Sequence, residues 1–338
     1  MKRHIKEIDI LKGFAIVLVL LGHSIIVYPI DLNTKYVWCG VLHNSFIHPV
    51  HLPLFFAISG FCYSFHGWAD FLRKKAKRIL IPYAVFFIIS ILIGLFFGQS
   101  DLINGSKTVT LKGILDNLLY GKVLDFLYTM MMIFLIFPFI EKVLKNLAGK
   151  AIVLTLMLAA QCFDFWPTEF TIHKIVYYLP FFTMGYILRQ EYNEGRLDFS
   201  GVSIGKKWSI CVIAFAEWII LAVLKNNIDS SVFIIEKWYS MLITVVGIIC
   251  LVFLANLISD KKVSRPFASF GKYSLQLYLL NGYFLTITRG VVCKVLKITN
   301  PFAIIGLNLV GILIINYLVI RFIVSRVKFF RVLTGIPE

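Results

Sequence analysis

The stretch that decides the fold spans residues 8–23 and reads Ile-Asp-Ile-Leu-Lys-Gly-Phe-Ala-Ile-Val-Leu-Val-Leu-Leu-Gly-His. Apolar residues fill most of it, and only Asp9, Lys12 and His23 have ionisable side chains. A helix needs about 20 mostly apolar residues to cross the hydrocarbon core of a membrane. The stretch and its apolar surroundings therefore predict a membrane-spanning helix near 9–28.

The rest of the chain has the same character. Apolar residues make up 59% of the 338 residues, charged residues make up 15%, and the mean hydropathy is +0.83. A soluble domain of this length needs a more polar surface. The composition predicts an all-α integral membrane protein with about ten transmembrane helices in one bundle. The predicted spans are 9–28, 46–66, 79–98, 123–140, 151–166, 174–190, 208–224, 238–258, 270–290 and 302–325.

The net charge of +16 follows the predicted topology. Lys and Arg gather in alternate connecting segments, and cytoplasmic segments are the ones that carry such an excess. This distribution predicts that both the N-terminus and the C-terminus are cytoplasmic. It also explains the basic excess without a nucleic-acid partner, so none is expected.

The chain shows no sign of a second module. No cleavable signal peptide is predicted, because the first apolar run carries Lys12 and His23 and lacks a small-residue cleavage site. The six cysteines include no Cys-x-x-Cys pair, so neither a disulfide framework nor a metal site is expected. We therefore expect one polytopic membrane domain over 1–338, with its chemistry inside the bundle or at its mouths.

Ionisable side chains within the first predicted span mark a candidate site, because a charge there costs about 2.5–3.5 kcal/mol on insertion scales. Asp9 and Lys12 are three residues apart and can pair on one helical face. His23 lies about three turns and about 16 Å beyond Lys12, on the same face. One helix thus links a cationic site near the cytoplasm to an imidazole in the outer half.

The second predicted span begins on the outer side with His48 and His51 and continues to Ser59-Gly60. We expect His51 at a depth similar to that of His23. The small pair Ser59-Gly60 permits close helix packing or leaves room for a narrow ligand. Taken singly, an intramembrane histidine or a Ser-Gly pair is at least as often a packing feature as a functional site.

A basic cluster precedes the third predicted span. At the cytoplasmic mouth it places positive charge where an anionic cofactor can arrive, although such a cluster on its own is usually a topology signal or a lipid contact. The combination of charged and imidazole groups along one path across the membrane is what favours a functional role. The cluster consists of Arg73, Lys74, Lys75, Lys77 and Arg78.

Residues 8–23 resemble the opening helix of the membrane-bound acyltransferase-3 family. The family hallmark is a basic residue, ten intervening residues and a histidine, which here are Lys12 and His23, with Lys where many members have Arg. Residues 51–61, His-Leu-Pro-Leu-Phe-Phe-Ala-Ile-Ser-Gly-Phe, resemble the second-helix motif. The His-x-Pro-x-Phe-Phe form is similar to the branch described as fucose 4-O-acetylase-like.

Later parts of the chain extend the resemblance. The basic cluster followed by Ile-Leu-Ile-Pro-Tyr at 79–83 matches the family's entry into the third helix. Weaker similarities lie at 179–186 and 274–281. Asn281 is a departure, because many relatives carry a histidine there, so any role of that histidine is absent or taken by an amide.

The resemblance implies transfer of an acetyl group, or sometimes a succinyl group, from acyl-coenzyme A to a sugar hydroxyl outside the membrane. A hydroxyl is a poor nucleophile at neutral pH, and an imidazole can remove its proton as it attacks the thioester. His23 is the expected general base. His51 is expected to orient the acceptor or to stabilise the oxyanion, and Lys12 either neutralises part of the donor or pairs with Asp9.

The same resemblance implies the remaining site residues and partners. Arg73, Lys75 and Arg78 are expected to hold the phosphates of the donor, with Ser59 also on the donor side. The expected co-substrate is acetyl-CoA or another acyl-CoA, without a metal. The expected acceptor is a cell-envelope glycan or a lipid-linked sugar, and the expected location is the bacterial plasma (inner) membrane, as a multi-pass protein in the lipid bilayer.

Two other functions are compatible with many spans and buried ionisable groups. A transporter or flippase for glycans or lipid-linked sugars predicts an inverted repeat with interrupted helices at matching positions. Lys12 and His23 have no counterpart in the second half of the sequence. A membrane sensor, such as the membrane part of amino-acid resistance racemases, predicts fusion to a soluble catalytic domain. We favour acyl transfer over both.

Overall fold

The computed structural model describes residues 5–26, 32–97, 110–197, 199, 201–228 and 232–336. Within these ranges the chain is helical and contains no strand, which confirms the predicted all-α class. The α-helices are α1 (Lys6–Ile26), α2 (Leu32–Lys35), α3 (Val37–Gly40), α4 (His48–Phe61), α5 (Trp68–Lys75), α6 (Ile81–Phe97), α7 (Leu111–Tyr120), α8 (Asp125–Glu141), α9 (Leu147–Ala159), α10 (Ile172–Asn193), α11 (Ile204–Lys225), α12 (Phe233–Ile258), α13 (Ser264–Lys272), α14 (Ser274–Arg289), α15 (Pro301–Val319) and α16 (Lys328–Leu333). Segments of π-helix cover Val41–Ile47, Ala76–Leu80, Gly290–Val295 and Ile320–Val324, and 3-10 turns cover Ala160–Cys162 and Glu169–Thr171.

Several of these helices are long and apolar enough to cross a membrane. Helices α7 and α8 together form a further apolar stretch, bent by 54°, and Leu147–Cys162 is a shorter apolar helix. The chain is therefore a multi-pass membrane protein. The six segments that qualify singly, among the residues described, are Lys6–Ile25, Val37–Phe61, Trp68–Ile93, Ile204–Lys225, Phe233–Ile258 and Pro301–Val324.

The second and third of these segments begin earlier than the sequence predicts. The span predicted at 46–66 is helical from Val37, and its helix ends at Phe61. The basic cluster was expected in a loop before 79–98, but it is helical, because Trp68–Ile93 forms one continuous span. Lys and Arg are good helix formers, and their long side chains can reach polar surroundings from a helix end.

A threonine compensates for a proline inside α4. Pro53 has no backbone N–H, so the carbonyl oxygen of Pro49 lacks its usual partner one turn later. The Thr244 hydroxyl of α12 lies 2.7 Å from that oxygen, to which it donates, and 2.9 Å from the Ser240 carbonyl oxygen of its own helix. This contact explains how α4 continues through a proline without leaving a buried carbonyl unpaired.

The chain divides into two compact units, residues 1–62 with 184–322 and residues 63–183 with 323–338. In the first unit, α1 is the central helix and packs against α4, α12, α13, α14 and α15. The first predicted span is thus surrounded by later parts of the chain. The prediction of a single domain over 1–338 stays a prediction.

Two glycines allow α1 and α13 to touch backbone to backbone. A Cβ at Gly13 would collide with the carbonyl oxygen of Phe267, and a Cβ at Gly271 would collide with that of Asp9. Small residues of this kind are the usual means of close packing between membrane helices. The contact fixes the end of α1 that carries Lys12.

The second unit has an aromatic core. The ring of Tyr63 lies 4.9 Å from Phe137 and 5.9 Å from Phe182, and Phe182 lies 5.4 Å from Phe134. The Tyr63 hydroxyl donates to the Glu141 carboxylate at 3.1 Å. Edge-on contacts of this kind add to the energy of apolar burial. They hold the start of this unit against α8 and α10.

Candidate active site

Four of the seven histidines lie together near the end of α1. His51 interacts electrostatically with His23, His43 and His48. Ring centroids are 6.0 Å apart for His43 and His48 and 5.6 Å apart for His48 and His51. A Cβ at Gly22 would lie 3.4 Å from the His43 ring, so this ring packs beside the turn that holds His23. The structure therefore brings the two predicted catalytic histidines together and adds His43, which the sequence analysis missed.

Hydrogen bonds assign the tautomers of two of these rings. His51 Nδ1 lies 2.9 Å from the carbonyl oxygen of Ile47, which can only accept, so Nδ1 of the neutral ring carries the proton. His43 Nδ1 lies 2.7 Å from the side-chain oxygen of Asn44, with the same consequence. In both neutral rings, Nε2 is then the nitrogen that accepts a hydrogen bond. A nitrogen of this kind can bind a hydroxyl or remove its proton.

The π-helical segment Val41–Ile47 carries His43 and enters α4, which carries His48 and His51. Segments of π-helix are frequent at functional sites. The indole of Trp218 in α11 stacks on Phe46 at 4.0 Å and donates to the Phe46 carbonyl at 3.1 Å. This double contact anchors the histidine-bearing segment. The segment also lines an open, largely apolar depression of about 830 Å³, together with Tyr36, Trp38 and Ile219.

A buried arginine supports the end of α1. Arg289 in α14 is fully buried, and its Nη1 donates to the backbone carbonyl of Ser24 at 3.1 Å. Ser24 follows His23 directly and is itself buried. A fully buried guanidinium in a membrane protein is costly and therefore marks a place of functional interest. The sequence offered only a weak signal for it, a lone Arg at the end of the span predicted at 270–290.

Lys12 and Asp9 form the pair that the sequence allowed. Lys12 Nζ lies 3.6 Å from Asp9 Oδ1, and the two side chains are 31% and 21% exposed. An ion pair this accessible contributes little stability, about 0–1 kcal/mol. Pairing with Asp9 therefore leaves Lys12 able to meet an anionic ligand.

Ser59 lies where α4 packs closely on α10. It is half-buried, and a Cβ at Gly185 would collide with the carbonyl oxygen of Ala57, two residues before Ser59. The backbone N–H of Phe61 borders the same contact. Helix packing accounts for the small residues here, and the donor-side role of Ser59 stays a prediction.

The three basic residues predicted to hold phosphates lie in the second unit and differ in their surroundings. Arg73 and Arg78 are exposed, whereas Lys75 is half-buried. Lys75 Nζ lies 3.2 Å from the ring centroid of Phe134 and 5.4 Å from that of Phe71. This is a close cation–π contact, so the ammonium of Lys75 has a structural partner. The two arginines are the more accessible cations.

The part of the chain that the structure describes contains no group of three or more His, Cys, Asp or Glu side chains arranged to hold a metal ion. Other polar residues of the predicted spans have structural partners. Gln161 donates to the Val176 carbonyl at 2.6 Å, and the Trp166 indole donates to the Ala160 carbonyl at 2.9 Å. These contacts give Gln161 and Trp166 structural roles in the second unit, and the histidine cluster is the candidate centre for chemistry in the first unit.

Comparison with protein families gives a match over nearly the whole chain. The model of a family described as an acyltransferase domain, acyltransferase family 3, matches residues 5–321. The matched range includes every predicted site residue from Lys12 to Arg78. Searches of the curated proteins and of the solved structures gave no match. The family match spans nearly the whole chain and agrees with its apolar helices, and the chain therefore belongs to the acyltransferase-3 family of membrane acyltransferases.

Proposed function

We propose that the protein is a membrane-bound O-acyltransferase that moves an acyl group from cytoplasmic acyl-CoA to a hydroxyl of an extracytoplasmic glycan or glycolipid. The acyl group expected is acetyl, and the expected location is the plasma membrane of a bacterium. The observation that carries the proposal is the histidine cluster at one end of α1, about 16 Å along the helix from Lys12, in a chain of this family.

In this mechanism His23 is the general base. It removes the proton of the acceptor hydroxyl as the oxygen attacks the thioester carbon, so a C–O bond forms and an oxyanion develops. The C–S bond then breaks, and the imidazolium of His23 returns the proton to the sulfur of coenzyme A. The products are the acyl ester and the free thiol. No other reactant is consumed.

The tautomer of His51 favours one of its two expected roles. A neutral ring that donates from Nδ1 to Ile47 presents Nε2 as an acceptor, which suits the hydrogen of the acceptor hydroxyl. It does not suit an oxyanion, which needs a donor. We therefore assign His51 to orienting the acceptor. His43 presents the same kind of nitrogen beside Gly22 and joins it in this role.

The donor is proposed to be acyl-CoA, with its phosphates bound by basic side chains. Arg73 and Arg78 are exposed and suit bidentate phosphate contacts, whereas Lys75 is engaged with Phe134. Lys12 is accessible despite its pairing with Asp9 and adds positive charge at its end of α1. No metal is required for this chemistry.

The proposed topology has about ten crossings with both termini in the cytoplasm. Beyond the six qualifying segments, the bent pair α7–α8, the short helix α9, and helices α10 and α13–α14 supply the remaining crossings. Residues 1–4, at the N-terminus, lie outside the described residues. The positive-inside distribution supports this arrangement, and fusions to compartment-specific reporters test it.

The acceptor is proposed to be a sugar hydroxyl of the cell envelope, in line with the resemblance of residues 51–61 to the fucose 4-O-acetylase-like branch. The exposed His48 ring places polar groups at the accessible edge of the cluster. A lipid-linked sugar and a polymer share this hydroxyl chemistry. A panel of glycans distinguishes them.

The test uses purified protein in proteoliposomes that enclose a glycan panel, with labelled acetyl-CoA added outside. Protein molecules oriented with their cytoplasmic face outward should acetylate the enclosed glycan and release free coenzyme A. A well-folded protein that neither binds nor consumes acyl-CoA would contradict the proposal. Uptake of unmodified glycan without donor turnover would instead favour the transporter.

A further inference from the structure

A ridge of buried residues runs along α15 and into the π-helical segment that follows it. Its members are spaced four residues apart, so each is turned about 40° from the one before and the ridge winds gradually around the helix. All of them are fully buried, and two of them are amides in an otherwise apolar row. The ridge consists of Ile304, Asn308, Ile312, Asn316 and Ile320.

Helix α14 presents a matching row, Leu277, Asn281 and Leu285, with all three side chains buried. Leu277 and Leu285 of this row, and Ile312 and Ile320 of the ridge, belong to one apolar cluster with Ile16 and Val19 of α1. At 100° per residue, these two positions lie on the same face of α1 as the line between Lys12 and His23. Asn281 lies between Leu277 and Leu285, and Asn316 lies between Ile312 and Ile320, so both amides adjoin the apolar cluster that borders this line.

Two contacts fix the height of Asn281 along α1. The bond from Arg289 to Ser24, together with the contact of Gly271 with Asp9, shows that α1 runs parallel to α13 and α14. With the helices aligned in this way, Asn281 lies about 10 Å from the level of His23, measured along the axis of α1 in the direction of Lys12.

A second pair of contacts gives the height of Asn316. A Cβ at Gly311 would lie 3.1 Å from Thr288, and the rings of Phe270 and Tyr317 are 6.1 Å apart, so α15 runs antiparallel to α14. Thr288 is at the level of His23, which places Asn316 about 8 Å from that level, again on the side of Lys12. Asn281 and Asn316 are thus at nearly the same height.

Both amides have atoms without a hydrogen-bond partner in the described part of the chain. These atoms are the side-chain oxygen of Asn281 and both the oxygen and the nitrogen of Asn316. A buried polar group left unpaired costs about 1–3 kcal/mol, so native proteins rarely retain one without a reason. Two such groups at one height provide donors and acceptors aimed into an apolar seam.

We propose that Asn281 and Asn316 form a binding site for an amide-bearing chain, the pantetheine arm of the acyl-CoA donor. This inference rests on the proposed function. A carboxamide can accept from the N–H and donate to the carbonyl of a secondary amide, and the pantetheine arm carries two secondary amides. The arm is also unbranched near its sulfur and narrow enough to pass between helices.

The spacing agrees with this assignment. With the thioester at His23, the second amide nitrogen of an extended arm lies about 8 Å from the sulfur, the length of roughly two and a half extended residues. That distance matches the height of Asn316 and is close to that of Asn281. The two asparagines would hold this second amide while the thioester meets the histidine cluster.

The test combines variants with shortened donors. Asn281→Leu and Asn316→Leu keep the number and branching of the side-chain heavy atoms and remove the amide, and the double variant removes both amides. The donors are acetyl-pantetheine, with both amides, S-acetyl-N-acetylcysteamine, with only the amide nearest the sulfur, and S-acetyl-2-mercaptoethanol, with none. The double variant should raise KM for acetyl-pantetheine about tenfold, and it should leave kcat/KM for the two shorter donors unchanged.

A matched control is available on the same ridge. Asn308 also has a buried oxygen without a partner in the described chain, but it lies on the far side of Thr288 from Asn316, beyond the proposed path of the arm. Asn308→Leu should leave KM for acetyl-pantetheine unchanged. A rise equal to that of Asn316→Leu would overturn the assignment of the site.

Several outcomes separate the two proposals. If wild type consumes acetyl-CoA and the folded double variant keeps its KM for acetyl-pantetheine, the inference fails and the proposed function stands. An equal loss with all three donors also overturns it, because it shows a structural role. If wild type consumes no acyl-CoA, the proposed function itself fails.

A measurement on wild type avoids dependence on variants that fold poorly. An acetyl-pantetheine analogue with the second amide replaced by two methylene groups should raise KM about tenfold. When the analogue is assayed with the double variant, the two increases in KM should not combine, because the analogue and the variant each remove the same hydrogen bonds. No rise in KM with the analogue would overturn the proposal.

Discussion

The guanidinium of Arg289 donates a hydrogen bond of 3.1 Å to the backbone carbonyl of Ser24, the residue after His23. The two residues come from helices far apart in sequence, and both are buried. The bond ties the last turn of α1 to α14 at the height of the histidine cluster. The position of His23 therefore depends on a residue that no motif near it in the sequence reveals.

Arg289→Lys should lower the melting temperature of the purified protein by several degrees. Lysine keeps the buried charge but loses the planar fork of donors, so the charge is left with poorer partners. Arg265→Lys is the matched control, because Arg265 is exposed in α13. Thermal unfolding in detergent measures both, and an unchanged melting temperature for Arg289→Lys would show that the bond contributes nothing.

Thr244→Val should destabilise the protein by about 1–3 kcal/mol, because the Pro49 carbonyl loses its donor and stays buried. Valine has nearly the same shape as threonine, so packing changes little. Thr244→Ser keeps the hydroxyl and should recover most of the loss. Denaturation of the three proteins side by side gives the comparison, and equal stability of the Val and Ser variants would rule out the explanation.

Substitutions in the basic cluster should show that some of its residues stabilise the fold and that others bind the donor. Lys75→Met loses the cation–π contact with Phe134 and should lower stability. Arg73→Met and Arg78→Met should leave stability unchanged and raise KM for acetyl-CoA several-fold, because both arginines are exposed. Unfolding curves and donor kinetics distinguish the two groups. Arginine variants with unaltered KM would remove these residues from the donor site.

Six of the ten predicted spans overlap helices that, among the described residues, are long and apolar enough to cross a membrane, because hydropathy is the main sequence signal for such helices. The pairing of Lys12 with Asp9 was predictable from helical spacing, and the structure shows it. The helix that begins at Val37 was not predictable. The sequence places residues 37–45 before the span predicted at 46–66, and the helix there is held by Trp218, which is distant in sequence.

The sequence did not reveal His43 or Asn316, and the physical reason is the same for both residues. His43 lies in that unexpected helical segment, so its proximity to His51 was not visible until the segment was known to be helical. Asn316 lies in a span that the sequence predicts correctly, but which face of α15 points inward depends on α1 and α14. Burial of an amide is a property of the packed bundle, and spacing along one helix does not reveal it.

The central claim is that His23 is the general base, and the most direct test compares wild type with His23→Ala for transfer from acetyl-CoA. His66→Ala serves as the control, since His66 is an exposed residue outside the histidine cluster. With all three proteins shown to fold by gel filtration, His23→Ala should lose about 10²-fold or more of the transfer rate, the scale of a removed general base, while His66→Ala keeps the wild-type rate. A folded His23→Ala protein that transfers acyl groups at the wild-type rate would contradict the account.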